Sequence, residues 1–222
     1  MFRIFPPYTL YSHSYYLLLL IIDVDANIAM SRCTHKGCVY CVNHENINVL
    51  TSLRNVRPDT NFPILMDDGE VYVVSGSRIA GVNGIISKRK RKKGVPRKKA
   101  EEFLEVAEKL KGKEVDILLM HETPYLPELF PFMRKESLAY KTAYEFIRVV
   151  KPKIVFNGHM HSGGYKTYTF PWGTKYVYVD SSQSSRHYLV FESLDKIEVW
   201  KDYKKIAEIL SKGGEFLFQY VS

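Results

Sequence analysis

Three histidine-bearing segments hold the side chains best able to do chemistry: Asn43-His44-Glu45, His121, and Gly158-His159-Met160-His161. His121 closes the apolar run Asp116-Ile-Leu-Leu-Met120, and the last segment follows directly on Lys153-Ile-Val-Phe-Asn157. Neutral imidazole suits Zn, Fe, Mn or Ni, and residue type does not choose among them. A lone histidine at a strand end is more often a core or capping residue than a ligand. A His-x-His pair bracketed by Gly158 and Gly163-Gly164, with a third histidine ending a neighbouring strand, reverses that preference. Glycine lets the backbone turn sharply and approach a ligand closely. Side chains at the C-terminal ends of adjacent parallel strands face one crevice, so residues distant in sequence can share an ion.

A second donor set competes. Cys33, His35, Cys38, Cys41 and His44 lie within twelve residues, and Cys38-x-x-Cys41 has the spacing of a structural zinc knuckle. No second donor pair stands at the usual loop separation. Cys41 also falls in the run from Cys38 to Val42, which reads as a strand, where a thiol is a common small core residue. The knuckle is the lesser reading.

The elements that must position these residues follow from apolar patterning. Leu17 to Ile22 and Cys38 to Val42 read as strands, Asn46 to Leu53 as a short helix, and residues 1–15 show no periodicity. Val71 to Ser75 and Arg78 to Val82 flank Gly76-Ser77 as a hairpin. Pro96 suits a first helical position, and Ala100, Phe103, Leu104, Ala107 and Leu110 recur at helical spacing until Gly112. A strand from Val115 to Met120, a proline-punctuated loop, a helix from Ser137 to Val150 and a strand from Ile154 to Asn157 form a βαβ crossover, which makes the two strands parallel neighbours. Four short strands then lie within 165–170, 175–180, 187–191 and 197–200, before a final helix over 203–210. The expected fold class is α/β, with a mixed sheet and an antiparallel C-terminal sheet in a single domain spanning residues 1–222.

Asn43-His44-Glu45, the strand ending in His121, and Gly158-His159-Met160-His161 resemble the three later motifs of calcineurin-like metallophosphoesterases. The stretch Arg78-Ile-Ala-Gly-Val-Asn-Gly-Ile85, followed by a basic loop, resembles the lariat-debranching branch more weakly. The resemblance implies a two-sheet β-sandwich flanked by helices and a pair of divalent ions (Mn, Fe, Zn or Ni). Carried over by position, Asn43, His121 and His159 hold one ion and His161 the other. His44 stands beside them to stabilise or protonate the leaving oxygen. Two such cations polarise a phosphoester and activate water for in-line attack.

The N-terminal third departs from that pattern. The Asp-x-His and Gly-Asp motifs expected there are replaced by Asp23-Val24-Asp25-Ala26-Asn27, in which either Asp25 stands where the Asp-x-His histidine should be or Asp23 is the bridging carboxylate, with Ile22 in place of the preceding glycine. The chain before residue 38 reads as atypical, so retention of a single ion is an expected outcome beside the full pair.

Bulk properties set the partners. Of 222 residues, 45% are hydrophobic and 25% charged, which are globular values. The formal net charge of +8 is local, because nine cations fall between Lys88 and Lys99. That run could neutralise the backbone phosphates of RNA or DNA, whereas Lys166 and Arg186 are weaker phosphate candidates. The cysteines lie between positions 33 and 41, which excludes a secreted disulfide framework and makes a cytoplasmic setting the expectation. The run Tyr16 to Ile22 is shorter than the ~20 residues that span a bilayer, so no membrane is expected. Two functions follow: a metal-dependent phosphoesterase acting on a diester or monoester, or an impaired scaffold that binds nucleic acid through residues 88–99.

Overall fold

The computed structural model describes residues 17–22, 39–42, 66–74, 76–88, 97–160, 162–180, 187–193, 196–202, 204–212 and 215–220. Strands β1 (Leu17–Ile22) and β2 (Val39–Val42) pair in parallel and end in register at Ile22 and Val42. Strands β3 (Val71–Val74) and β4 (Ser77–Val82) form the expected hairpin, with Gly76 at φ 82° in its turn. Short strands β5 (Ile85–Ile86) and β6 (Arg97–Lys98) pair in parallel beyond it.

The expected crossover is made by two buried strands and the helix between them, with another helix packed before it. Helix α1 (Ala100–Leu110) buries Phe103, Val106, Ala107 and Leu110, the stripe that its 3.6-residue period aligns. Its first turn is acidic, with Glu101 and Glu102, and the Glu102 carboxylate accepts from the Lys99 N–H at 2.8 Å. Helix α2 (Leu138–Val150) buries Ala143, Phe146, Ile147 and Val150, then stops at Lys151, whose φ of 49° is left-handed, just before Pro152. Phe103 and Phe146 meet edge to face, 5.1 Å between centroids. Strand β7 (Ile117–Met120) precedes α2 and β8 (Ile154–Asn157) follows it, parallel and adjacent.

Strands β9 (Tyr165–Thr169) and β10 (Lys175–Val179) complete a mixed sheet ordered β3-β4-β7-β8-β10-β9. Its parallel strands are apolar on both faces, as strands covered on both sides must be. Alternation divides them cleanly. Leu118, Met120, Val155, Tyr176 and Tyr178 join the cluster that holds α1 and α2. Ile117, Leu119, Ile154, Phe156, Val177 and Val179 join another with Leu189, Ile197, Val199, Ala207 and Ile209. The latter five come from β11 (His187–Ser193), β12 (Lys196–Lys201) and β13 (Lys204–Lys212), which with β14 (Glu215–Tyr220) form an antiparallel run that continues into β1 and β2.

Two expectations are corrected. The helix expected over 203–210 is not formed: from Lys204 on, the described chain is strand β13, paired antiparallel with β12. Ala207 and Ile209 are buried at every second position, and Lys205 reaches Glu198 across the pair at 3.1 Å, so sheet pairing overrides the local helical spacing. Pro96 does not open α1, which begins at Ala100. Pro96 lies outside the described residues, and Arg97–Lys98 after it form β6, where Lys98 pairs with Asp68 at 2.7 Å and donates to the Asn83 carbonyl. The short helix expected over 46–53, and residues 1–15, lie outside the described residues.

Candidate metal centre

Four parallel strands end level with one another, because Val82 pairs with Met120, Met120 with Asn157, and Asn157 with Tyr178. His121 is the first residue beyond β7, and His159 the second beyond β8. The rings meet there. His121 Nε2 lies 2.7 Å from His159 Nδ1, with centroids 4.5 Å apart and planes inclined at 64°. His121 is buried, and the His159 side chain retains 28% exposure. His159 itself sits at φ 78°, a left-handed conformation that costs an L-residue roughly 1–2 kcal/mol. Strain of this kind collects where a side chain must be aimed against its local preference.

At 2.7 Å one ring donates its N–H to the lone pair of the other. A tautomer shift that moves this proton to the donor ring's other nitrogen leaves two lone pairs facing one point, which is the donor chemistry a divalent ion requires. Two imidazoles at ~2.1 Å from a tetrahedral ion stand about 3.4 Å apart, nitrogen to nitrogen, so a small ring rotation admits one. The pair therefore fits as two ligands of a metal. Among the described residues, no group of three His, Cys, Asp or Glu side chains able to hold an ion is found.

Beside the pair lies Glu122, 3% exposed. Its Oε1 is 3.9 Å from His159 Nε2, and its Oε2 accepts from the Ile86 N–H at 2.8 Å. Burial pushes its carboxyl up to about 7, against the opposing pull of the Ile86 and Thr123 backbone N–H groups. Beneath it runs a buried network centred on Asn157. The amide Nδ2 donates to the carbonyls of Met120, His121 and Glu122 at 2.9, 2.7 and 3.1 Å. Its Oδ1 accepts from the Tyr176 hydroxyl at 2.6 Å and the Thr123 hydroxyl at 3.2 Å.

The loop after His159 is tied down separately. The Ser162 N–H donates to the Tyr178 hydroxyl at 3.0 Å and the Gly163 N–H to Asp180 Oδ2 at 2.7 Å. Gly163 and Gly164 stand at φ 76° and 71°, which explains the glycine pair following the histidines. The Lys166 ammonium donates to the Leu129 carbonyl at 2.8 Å and lies 4.7 Å over the Phe130 ring, an internal commitment rather than a phosphate contact.

Of the sequence candidates, His121 and His159 are brought together. Asp23, Asn43, His44 and His161 lie outside the described residues, as do Cys33, His35, Cys38, Arg186 and most of the basic run. Glu122, Asn157, Thr123 and Tyr176 carry no role in the sequence reading. A polar residue closing the buried run Ile154–Asn157 is the signal that could have found Asn157.

No family model matches the chain, and no curated protein matches it in sequence. Solved structures do match in shape. TT1561 of Thermus thermophilus is 18% identical with a TM-score of 0.52, covering 73% of this chain and 71% of its own. A second solved structure is 12% identical with a TM-score of 0.50, and the match covers 73% of this chain and 65% of that one. The likeness is one of fold, the calcineurin-like phosphoesterase fold. A Vps29 single mutant from Entamoeba histolytica is also similar, at 10% identity and a TM-score of 0.23, too low to carry weight. These matches favour no branch within that fold.

Proposed function

We propose that the chain is a metal-dependent phosphoesterase, with a phosphodiester as the favoured substrate class. One observation carries the reading: imidazoles 38 residues apart in sequence converge to 2.7 Å at the paired ends of two parallel strands. The fold likeness to TT1561 supports it. So does the in-register ending of β1 and β2 at Ile22 and Val42, directly before the candidate ligands Asp23 and Asn43.

In this account the two clusters drawn from facing sheets form a sandwich whose strand ends hold the site. His121, His159, His161, Asn43 and Asp23 hold divalent ions, two when the set is complete and one when the degenerate N-terminal ligands fail. A bound ion supplies polarisation of the phosphoester and a lowered pKa for water. His44 stands where it can donate a proton to the leaving oxygen. Glu122 closes the buried side of the site with a carboxyl that is neutral below pH 7 and adds no fixed charge next to the imidazoles.

Hydrolysis of bis-p-nitrophenyl phosphate, followed with Mn, Fe, Zn and Ni in turn, tests the reading. Turnover that EDTA abolishes and His159→Ala removes supports it. Absence of turnover with every metal, or turnover unchanged in His159→Ala, rejects it. Salt-sensitive RNA binding that disappears when Lys88 to Lys93 are neutralised, with no turnover, marks the chain as a nucleic-acid-binding scaffold instead.

A further inference from the structure

We infer that Asn157 is a positioning residue for the candidate metal centre, a single amide that fixes the backbone bearing both imidazoles. The inference rests on the metal-dependent reading above for its purpose, and on hydrogen-bond geometry for its substance.

Three consecutive carbonyls, those of Met120, His121 and Glu122, converge on one nitrogen at 2.7–3.1 Å. In an extended strand, successive carbonyls point to opposite sides, so this convergence curls the chain at the residue that carries the first imidazole. Two amide protons serve three acceptors, and nothing but a donor at that point can hold the curl together. With Nδ2 removed, three buried carbonyls lose the one donor they share.

The amide is also locked in one sense. The Tyr176 and Thr123 hydroxyls both donate to Oδ1, so a flipped amide would set Oδ1 against three carbonyl oxygens and its NH2 against two hydroxyl donors. Asn157, Thr123 and Tyr176 are each completely buried, so no water replaces a lost bond. Asn157 is itself two residues before His159, whose left-handed backbone must start from a fixed strand end. One side chain therefore sets the curl that aims His121 and anchors the turn that aims His159. An ordinary buried asparagine would merely satisfy its own polar atoms. This one couples two ligands that share no other covalent or strand constraint beyond the β7–β8 pairing.

The full chain is the test object, first stripped of metal. Scalar coupling across the His121–His159 hydrogen bond, read by NMR on 15N-histidine protein, reports ring alignment without any bound ion. Mn2+ affinity by calorimetry and the thermal midpoint are measured alongside. Tyr176→Phe removes one donor isosterically, and Asn157→Asp replaces the NH2 with an oxygen. The expected result is weakened coupling and Mn2+ binding reduced about tenfold in Tyr176→Phe, with both lost in Asn157→Asp. Coupling and Mn2+ affinity within twofold of wild type in a destabilised but folded variant overturn the inference and leave Asn157 purely structural. Should Asn157→Asp not fold, Tyr176→Phe alone decides. A wild-type protein that binds no Mn2+ defeats the functional reading alone, because the coupling in the metal-free protein still decides the role of Asn157.

Discussion

Glu198 on β12 is 7% exposed and surrounded by donors: Trp200 Nε1 at 2.9 Å, Lys205 at 3.1 Å and Lys196 at 3.7 Å. Glu122 beyond β7 is 3% exposed, yet no lysine or arginine among the described residues pairs with it, and the His159 ring stands 3.9 Å away. A carboxylate placed to stabilise a sheet is given cations, as Glu198 is. Burial without them drives Glu122 toward its neutral form near pH 7. Together with the strained backbone of His159, that arrangement costs stability where the His121 and His159 imidazoles converge. The contrast separates a polar cluster that supports the fold from one that the fold supports.

The sharpest way to break this contrast is to remove a ligand from one region and a charge from the other. His121→Ala and His159→Ala should each lower hydrolysis of bis-p-nitrophenyl phosphate by more than about 100-fold, beyond the usual effect of losing an outer partner of a ligand. Glu198→Gln, measured in the same assay, should leave the rate within twofold.

A second comparison uses pH. The folded pKa of Glu122, about 7, exceeds the ordinary 4.5, so the folded protein holds this proton more tightly than the unfolded chain does. The stability linked to that proton is complete below pH 4.5 and is lost as pH rises to 7. Glu122→Gln mimics the neutral form. Urea denaturation of the metal-free variant should match wild type near pH 4 and exceed it at pH 8 by up to about 3 kcal/mol. Identical pH profiles would mean that Glu122 is not held as described.

The smallest effect belongs to the supporting cluster. Lys205 is bonded to both Glu198 and Glu208, which raises the lysine pKa and lowers that of Glu208. Because the Lys205 side chain is only partly buried and its ion pairs are screened by solvent, Lys205→Met should cost about 1 kcal/mol or less in the same denaturation, and less still at high salt.

How much of this was legible in the sequence depends on the kind of bond involved. The strands ending at Met120 and Asn157, and the crossover that makes them neighbours, follow from apolar runs and a helical stripe, and they bring His121 to His159. Local pattern failed at β13, where Ala207 and Ile209 answer to strands far away in the chain rather than to their own spacing. It also failed at Pro96, because the Lys98–Asp68 pair is a tertiary contact. Glu122 was invisible as a site residue for a related reason, its hydrogen bond being to a backbone N–H, and Asn157 showed only as a polar residue closing a buried run, because the carbonyls it gathers leave no residue-type signature. The candidate ligands Asp23, Asn43 and His161, and the candidate proton donor His44, remain expectations of the sequence.

The most direct measurement is anomalous scattering at the Mn absorption edge from crystals of the protein soaked in Mn2+. The account predicts a peak about 2.1–2.3 Å from His121 Nε2 and from a nitrogen of His159, with the two rings opened from their 2.7 Å contact. Crystals that carry Mn2+ elsewhere, or none at all, with the imidazoles still bonded to each other, would contradict it.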